Sequence, residues 1–302
     1  MRMKLRRITI ASLVLFLAVC YSACVDQSQG QTESQSTEQS DEKQSEKKVL
    51  ATSVATVEIC EKLGIELSGI PSSEIYDMPK VYQDLPVIGT AMAPDMEIVA
   101  SLNPDFILSP VSLISDLQPK YDALDTEYAF LNLSSVAGMY KSIMELGVLF
   151  DKEEEADKLV EEFETFYQQY QKEYEEKEAP TVLILMGLPG SYVAATEQSY
   201  VGSLVMMAGG KNVYTDETKD FINVNTEDML TKDPDIILRT AHAMPDDVTQ
   251  MFAEEFETND IWKRFRAVKE GRVYDLTPGN FGMSANFSYP EALEELADIL
   301  YN

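Results

Sequence analysis

From about residue 48 onward, short apolar runs alternate with longer stretches in which apolar side chains recur every three or four positions, the signature of layered α/β structure. Residues 87–89, 106–108 and 128–131 read as strands in the first half, and residues 181–186, 236–239 and 272–275 in the second. Between them lies a segment of another kind. Ala156, Leu159, Val160, Phe163, Phe166, Tyr167, Tyr170 and Tyr174 form one apolar stripe at helical spacing. Asp151 with Glu154 three residues later resembles a capping box, and Ala179-Pro180 supplies a stop. A helix over 152–177 would be about 39 Å long, enough to reach from one lobe to another.

The two halves echo each other. Residues 97–108 (EIVASLNPDFIL) and 227–238 (EDMLTKDPDIIL) align without a gap and share Glu, Pro, Asp, Ile and Leu. Each copy reads as helix, turn, strand, with Pro104 and Pro234 ending the helices and Asp105 and Asp235 opening the strands. The expected fold is therefore α/β: two Rossmann-like lobes, 49–150 and 179–302, joined by a single long helix over 151–178, with a ligand cleft between the lobes.

The start of the chain is an address. Arg2, Lys4, Arg6 and Arg7 precede an apolar run over residues 8–19 that is too short to span a membrane comfortably, as in the signal peptide of an exported protein. Ser22 and Ala23 before Cys24 resemble the cleavage box of a bacterial lipoprotein, so residues 1–23 are expected to be removed and Cys24 lipidated. Cys20 is the competing site, and an ordinary cleaved signal is the alternative. Residues 24–48 hold almost nothing but polar side chains and read as a flexible tether. Cys60 then remains in the body, on an apolar-periodic segment that favours a buried, inert thiol.

Charge and composition narrow the function. Fifty-two acidic against 24 basic residues give a formal charge of −28, which repels phosphate backbones and argues against nucleic acid. One histidine excludes sites built from two or three imidazoles. No Gly-x-Ser-x-Gly elbow is present, and the glycines at 209–210 before Lys211 lack the upstream glycine of a phosphate-binding loop. An enzyme using a serine and His242 stays open on residues alone.

A tethered chain with two α/β lobes, one long connector and a repeated Pro-Asp-x-Ile-Leu turn resembles the solute-binding proteins of iron, siderophore, heme and cobalamin importers. Residues 84–94 (DLPVIGTAMAP), 183–192 (LILMGLPGSY), 236–245 (IILRTAHAMP) and 260–265 (DIWKRF) are similar to those of heme-receptor lipoproteins within that family. The resemblance covers roughly residues 48–302. It implies a monomeric, non-enzymatic receptor, lipid-anchored on the outer face of the cell membrane, that passes heme (iron protoporphyrin IX) to the permease of an ABC transporter. Upstream cell-surface heme-transfer proteins would be its donors. A siderophore or cobalamin receptor is the alternative within the family.

The family motif assigns the axial ligands of the heme iron to Met92 in the first lobe and His242 in the second. The porphyrin supplies four nitrogens, so the protein need add only one or two donors. On residues alone, a methionine among 14 is a packing residue first and a lone histidine can be a satisfied surface or core group. Tyr192 and Phe281 are candidates for the porphyrin face, with backbone groups near Thr52 and Ser53 and the side chain of Arg239 for its propionates. Core packing, an ordinary helix cap and a pairing of Arg239 with an acidic neighbour are the corresponding structural readings. Relatives dock on their permease through one surface glutamate per lobe, which the motif places at Glu97 and Glu227. The dipole's preference for acids at helix starts is the alternative.

Overall fold

A computed structural model describes residues 47–216, 218–241 and 243–302. Cys20, Cys24, the leader, all of the tether before Lys47, and His242 lie outside the described residues.

The first lobe runs β1 (Val49–Ala51), α1 (Val54–Leu63), β2 (Leu67–Ser72), β3 (Val87–Thr90), α2 (Met96–Leu102), β4 (Phe106–Pro110), α3 (Ile114–Tyr121), β5 (Glu127–Leu131) and α4 (Val136–Leu149). Its five strands pair in the order β3-β2-β1-β4-β5, all parallel, so every strand ends at the same edge. All five residues of β4 are buried, which is why this interior strand opens on the apolar run Phe106 to Leu108. Helix α1 starts where Ser53 accepts from the Thr56 N–H and stops at Gly64, whose φ of 65° releases the chain into the left-handed region. Cys60 is fully buried on α1, and burial pushes its thiol up to about 12, so it behaves as a small apolar side chain.

Helix α5 (Glu153–Tyr174) follows. Asp151 is not its cap: the residue sits at φ 56° in the turn between α4 and α5, Lys152 occupies the cap position without a side-chain bond, and Glu153, Glu154 and Glu155 fill the first turn. The turn must be this tight because α5 returns directly against α4; a Cβ at Gly147 would lie 2.8 Å from the Cβ of Ala156.

The second lobe comprises β6 (Thr181–Leu188), β7 (Ser191–Ala195), α6 (Tyr200–Met207), β8 (Lys211–Asn212), β9 (Phe221–Ile222), α7 (Thr226–Thr231), β10 (Ile236–Ala241), α8 (Pro245–Thr258), α9 (Arg266–Lys269), β11 (Val273–Asp275) and α10 (Tyr289–Tyr301). Its sheet runs β11-β10-β6-β7-β9 with β8 beside β6. This sheet is mixed. Pro189 and Gly190, the latter at φ 81°, fold β7 back antiparallel on β6, and β9 pairs antiparallel with β7.

The aromatic stripe of α5 joins the lobes into a shared core. Tyr140 of α4 stacks on Phe163 with ring centroids 4.4 Å apart, and its hydroxyl lies 3.1 Å from that of Tyr289 on α10. Tyr170 donates to the Leu293 carbonyl at 3.0 Å, and Tyr174 stacks on Tyr301 at 5.3 Å. A large hinge motion would have to part these rings, so the connector braces the two lobes along its aromatic face.

The repeat has a structural counterpart. Asn103 (φ 48°) and Asp233 (φ 44°) each leave their helix in the left-handed region just before a proline. One residue past that proline, Asp105 accepts from the Lys48 N–H at 2.8 Å and Asp235 from the Thr181 N–H at 2.7 Å, clamping the first strand of each lobe. Burial raises the Asp235 carboxyl, but the Thr181 amide and hydroxyl and the Arg266 guanidinium outweigh it and hold the group at about 2.

Candidate functional site at the facing strand edges

The loops that leave the strand ends of the two sheets meet. Tyr76, beyond β2, lies against the glycine-containing loop beyond β11; a Cβ on Gly282 would come within 2.2 Å of its hydroxyl. The Ala285 N–H donates to the Leu133 carbonyl at 2.7 Å, tying the same loop to the end of β5. The two carboxyl edges therefore face one another, and the carboxyl ends of the strands are the place where open α/β sheets take ligands.

Met92 stands on that edge. Gly89, at φ 98°, pairs with Pro94 as an antiparallel bridge, the Ala93 N–H donates to the Thr90 carbonyl at 3.1 Å, and the Asp95 N–H to the Ile88 carbonyl at 2.7 Å. Asp95 then caps α2 through the Glu97 and Ile98 amides. This closed loop fixes the backbone on both sides of Met92 and leaves the side chain 62% exposed. Most methionines in the described body are packed, with Met139 and Met229 fully buried. An apolar thioether held outward on a pinned loop has no packing role in the isolated chain, and it is available as a soft donor.

Thr52 and Ser53 lie at the end of β1, beside the point where the strand order reverses. The Thr52 hydroxyl is not free: it lies 2.8 Å from Ser109 Oγ, which in turn lies 2.9 Å from the Tyr121 hydroxyl, all three buried. Ser53 Oγ is spent on its cap and on Thr56 Oγ1. Neither hydroxyl is therefore free for a ligand, and what remains at this position is the backbone at the start of α1.

Arg239, by contrast, is engaged. It makes a paired contact with Asp275, Nε to Oδ1 at 2.7 Å and Nη2 to Oδ2 at 2.5 Å, and lies over the Phe256 ring at 4.8 Å. The two residues are register partners on β10 and β11, which explains the pairing and commits the Nε/Nη2 fork to Asp275. Phe281 is 1% exposed, so its ring serves the shared core, while its carbonyl accepts from Thr240 Oγ1 at 2.8 Å. Tyr192 is half-buried on β7, its ring against Phe252 and Trp262 and its hydroxyl 3.1 Å from Glu255 Oε1. Burial raises its phenol, which stays protonated and able to donate.

Beyond β10 the chain reaches Met244, 56% exposed at φ 50° immediately before Pro245 opens α8. A left-handed non-glycine residue costs about 1–3 kcal/mol, and such costs gather at functional loops. Ile75 and Ile114, 44% and 38% exposed, stand on the first lobe's strand edge with Met92. Sequence reasoning missed both. Ile75 lies in the loop after β2 and Ile114 opens α3 shortly after β4, and an apolar residue soon after a strand end was the available signal.

Glu97 and Glu227 are both exposed, each the second residue of its helix, with Asp95 and Asn225 as caps. Volume alone does not mark the cleft. Recesses of about 570 and 330 Å³ open beside α1, the larger around Gly64 to Leu67 where β2 begins, at the sheet edge opposite Met92. Among the described residues no group of three or more His, Cys, Asp or Glu side chains could hold a bare metal ion.

Residues 49–279 match the family model for periplasmic binding proteins. The chain belongs to the periplasmic binding protein family. Among relatives, the high-affinity heme uptake system protein IsdE of Staphylococcus aureus (strain Newman) is 41% identical over 255 residues, 84% of this chain and 87% of that protein. A solved structure of S. aureus IsdE complexed with heme matches with a TM-score of 0.81 and 40% identity, covering 85% of this chain and 100% of that one. A substrate-binding protein of an ABC transporter from Listeria monocytogenes EGD-e matches with a TM-score of 0.80 and 48% identity over 85% and 99%. A periplasmic binding protein holds and hands over a solute, so the reading of His242 as part of a hydrolase is set aside. Among the described residues no helix is long and apolar enough to cross a membrane.

Proposed function

We propose that this chain is a heme receptor of an ABC-type importer that clamps the porphyrin between its lobes, with the Met92 sulfur on one face of the iron and the His242 imidazole on the other. The observation that carries this reading is the exposed Met92 thioether on its pinned loop at the cleft edge, in a chain 41% identical to a heme uptake protein. Heme is cargo here. The porphyrin brings four of the six donors its iron needs, so a site with no cluster of metal ligands among the described residues suffices. A thioether and an imidazole would fill the remaining positions and leave none open for dioxygen, which suits carriage over catalysis. Ile75, Ile114 and Tyr192 supply apolar surface for the plate, and the α1 start supplies amides for a propionate.

The purified protein is expected to take up one equivalent of hemin with a low-spin Soret spectrum. Trp262 gives a second readout. It is the chain's single tryptophan, fully buried in the second lobe and stacked on Phe256 at 4.2 Å, so bound heme should quench its emission in step with the Soret change. A colourless protein whose emission is indifferent to hemin would remove the heme assignment.

In the same reading Cys24 carries the lipid and residues 24–48 tether the body at the outer membrane face, while Glu97 and Glu227 meet basic groups of the permease. Their matched places at two helix starts, one per lobe, support this. Glu97→Lys combined with Glu227→Lys should abolish cellular heme uptake and leave the hemin titration unchanged; a weakened titration would put these residues in the cleft.

A further inference from the structure

Four methionines of the described body have sulfur-bearing side chains in solvent: Met92, Met144, Met206 and Met244 at 62%, 48%, 54% and 56% exposure. They are not equivalent. Met144 lies midway along α4, and Met206 near the end of α6, just before β8 pairs with the beginning of β6. Both stand away from the strand ends that bound the cleft. Met92 and Met244 stand on those ends, one in each lobe, and Met92 cannot retreat. The Gly89–Pro94 bridge and the Thr90–Ala93 turn hold its backbone, and Gly89 has no room for relaxation, with Ala93 O 2.8 Å from where a Cβ would sit.

We infer that Met92 is a redox-sensitive modification site: in the empty receptor its exposed sulfur is oxidised by hydroperoxides to the sulfoxide, and this switches off heme loading until a methionine sulfoxide reductase restores the thioether. The inference rests on the reading of Met92 as an axial ligand. In the step, the sulfur lone pair attacks the hydroxyl oxygen of the peroxide, the O–O bond breaks, an S–O bond forms, and the proton of that hydroxyl passes to the departing oxygen, which leaves as water or an alcohol. Sulfur loses two electrons and the peroxide gains them. The product presents a hard, polar oxygen where a soft donor stood, so low-spin six-coordinate iron is no longer favoured. Bound heme would cover the same sulfur, which makes the loaded receptor resistant and the empty one vulnerable.

The test uses the full chain. Empty and hemin-loaded protein are treated with hydrogen peroxide, quenched and mapped by peptide mass spectrometry for gain of one oxygen at each methionine. In the empty protein Met92 should oxidise as readily as Met144 and Met206; in the loaded protein Met92 should be protected about tenfold while those two are unchanged. Empty protein oxidised first and then titrated with hemin should bind about tenfold more weakly, with loss of the low-spin spectrum, and sulfoxide reductase should restore both. Met92→Leu should make the remaining binding indifferent to peroxide, which separates Met92 from damage at Met244. If Met92 resists oxidation in the empty protein, the switch is overturned while ligation stands. If its sulfoxide forms and the spectrum does not change, the switch fails together with the assignment of Met92 to the iron.

Discussion

His242→Ala is expected to weaken heme binding by more than about 100-fold, beyond the tenfold to 100-fold that accompanies loss of a mere supporting partner of a metal ligand. Met92→Ala is expected to cost less. The difference follows from the donors. Imidazole binds ferric and ferrous iron alike, whereas a thioether is soft and favours the reduced metal, so hemin in the ferric state loses more when the nitrogen goes. The spectra should also differ in kind: Met92→Ala leaves histidine-ligated iron with an open position, while His242→Ala leaves the weaker donor alone. Imidazole added to the His242→Ala protein should recover part of the low-spin spectrum. Equal and negligible changes in the two variants would point to a tyrosine ligand or to a siderophore or cobalamin as cargo, since neither of those needs an axial pair.

How much of this was legible beforehand depends on element length. The strands at 106–110, 181–188 and 236–241 are buried and long enough for an apolar run to stand out. β1 and β2 escape such reading although they form the middle of the first sheet. β1 is three residues long, and β2 contains Gly69 and Pro71, which read as a turn. Gly69 is there for packing: a Cβ would lie 2.8 Å from Leu50 and 3.0 Å from Leu102, so the side chains of β1 and α2 fill its place. β7 was hidden for a different reason, since the hairpin at Pro189-Gly190 makes an antiparallel pair where alternation of helix and strand suggests a crossover. The long helix was readable because eight apolar residues mark one face over about five turns, yet its cap was misplaced, because Asp151 serves the α4–α5 turn instead. In the site, residue type alone did not single out Met92 among the methionines and the family resemblance did, but only the fold shows that its loop is closed and its side chain outward. Arg239 illustrates the converse. A basic residue on a strand near the cleft looked available, and the cross-strand neighbour that engages it lies 36 positions away.

Gly89→Ala is expected to be the most disruptive change that leaves every proposed ligand in place. At φ 98° the backbone occupies a region that a non-glycine residue enters at a cost of about 1–3 kcal/mol. The added Cβ would also lie 2.8 Å from the Ala93 carbonyl oxygen and 3.0 Å from the Asp95 nitrogen, both backbone atoms of the same loop. Neither can swing aside as a side chain tip would, so the Gly89–Pro94 bridge must open. Opening it releases the Asp95 N–H from Ile88 and moves the cap of α2, whose loss adds about 1 kcal/mol. Met92 sits between these points and would lose its fixed place at the iron; Glu97, one turn further on, would shift with the cap. The variant should therefore melt earlier yet remain folded, bind hemin at least about tenfold more weakly, and show a reduced low-spin fraction even when saturated. Gly271→Ala is the matched control. Gly271 has φ 72° with nothing within 4 Å of an added Cβ, and it precedes β11 at the edge away from the cleft. It carries the backbone cost without the collision, so its spectrum should stay that of the parent. Should the two variants affect hemin binding equally, the closed loop does not position Met92, and the sulfur reaches the iron, if at all, without its help.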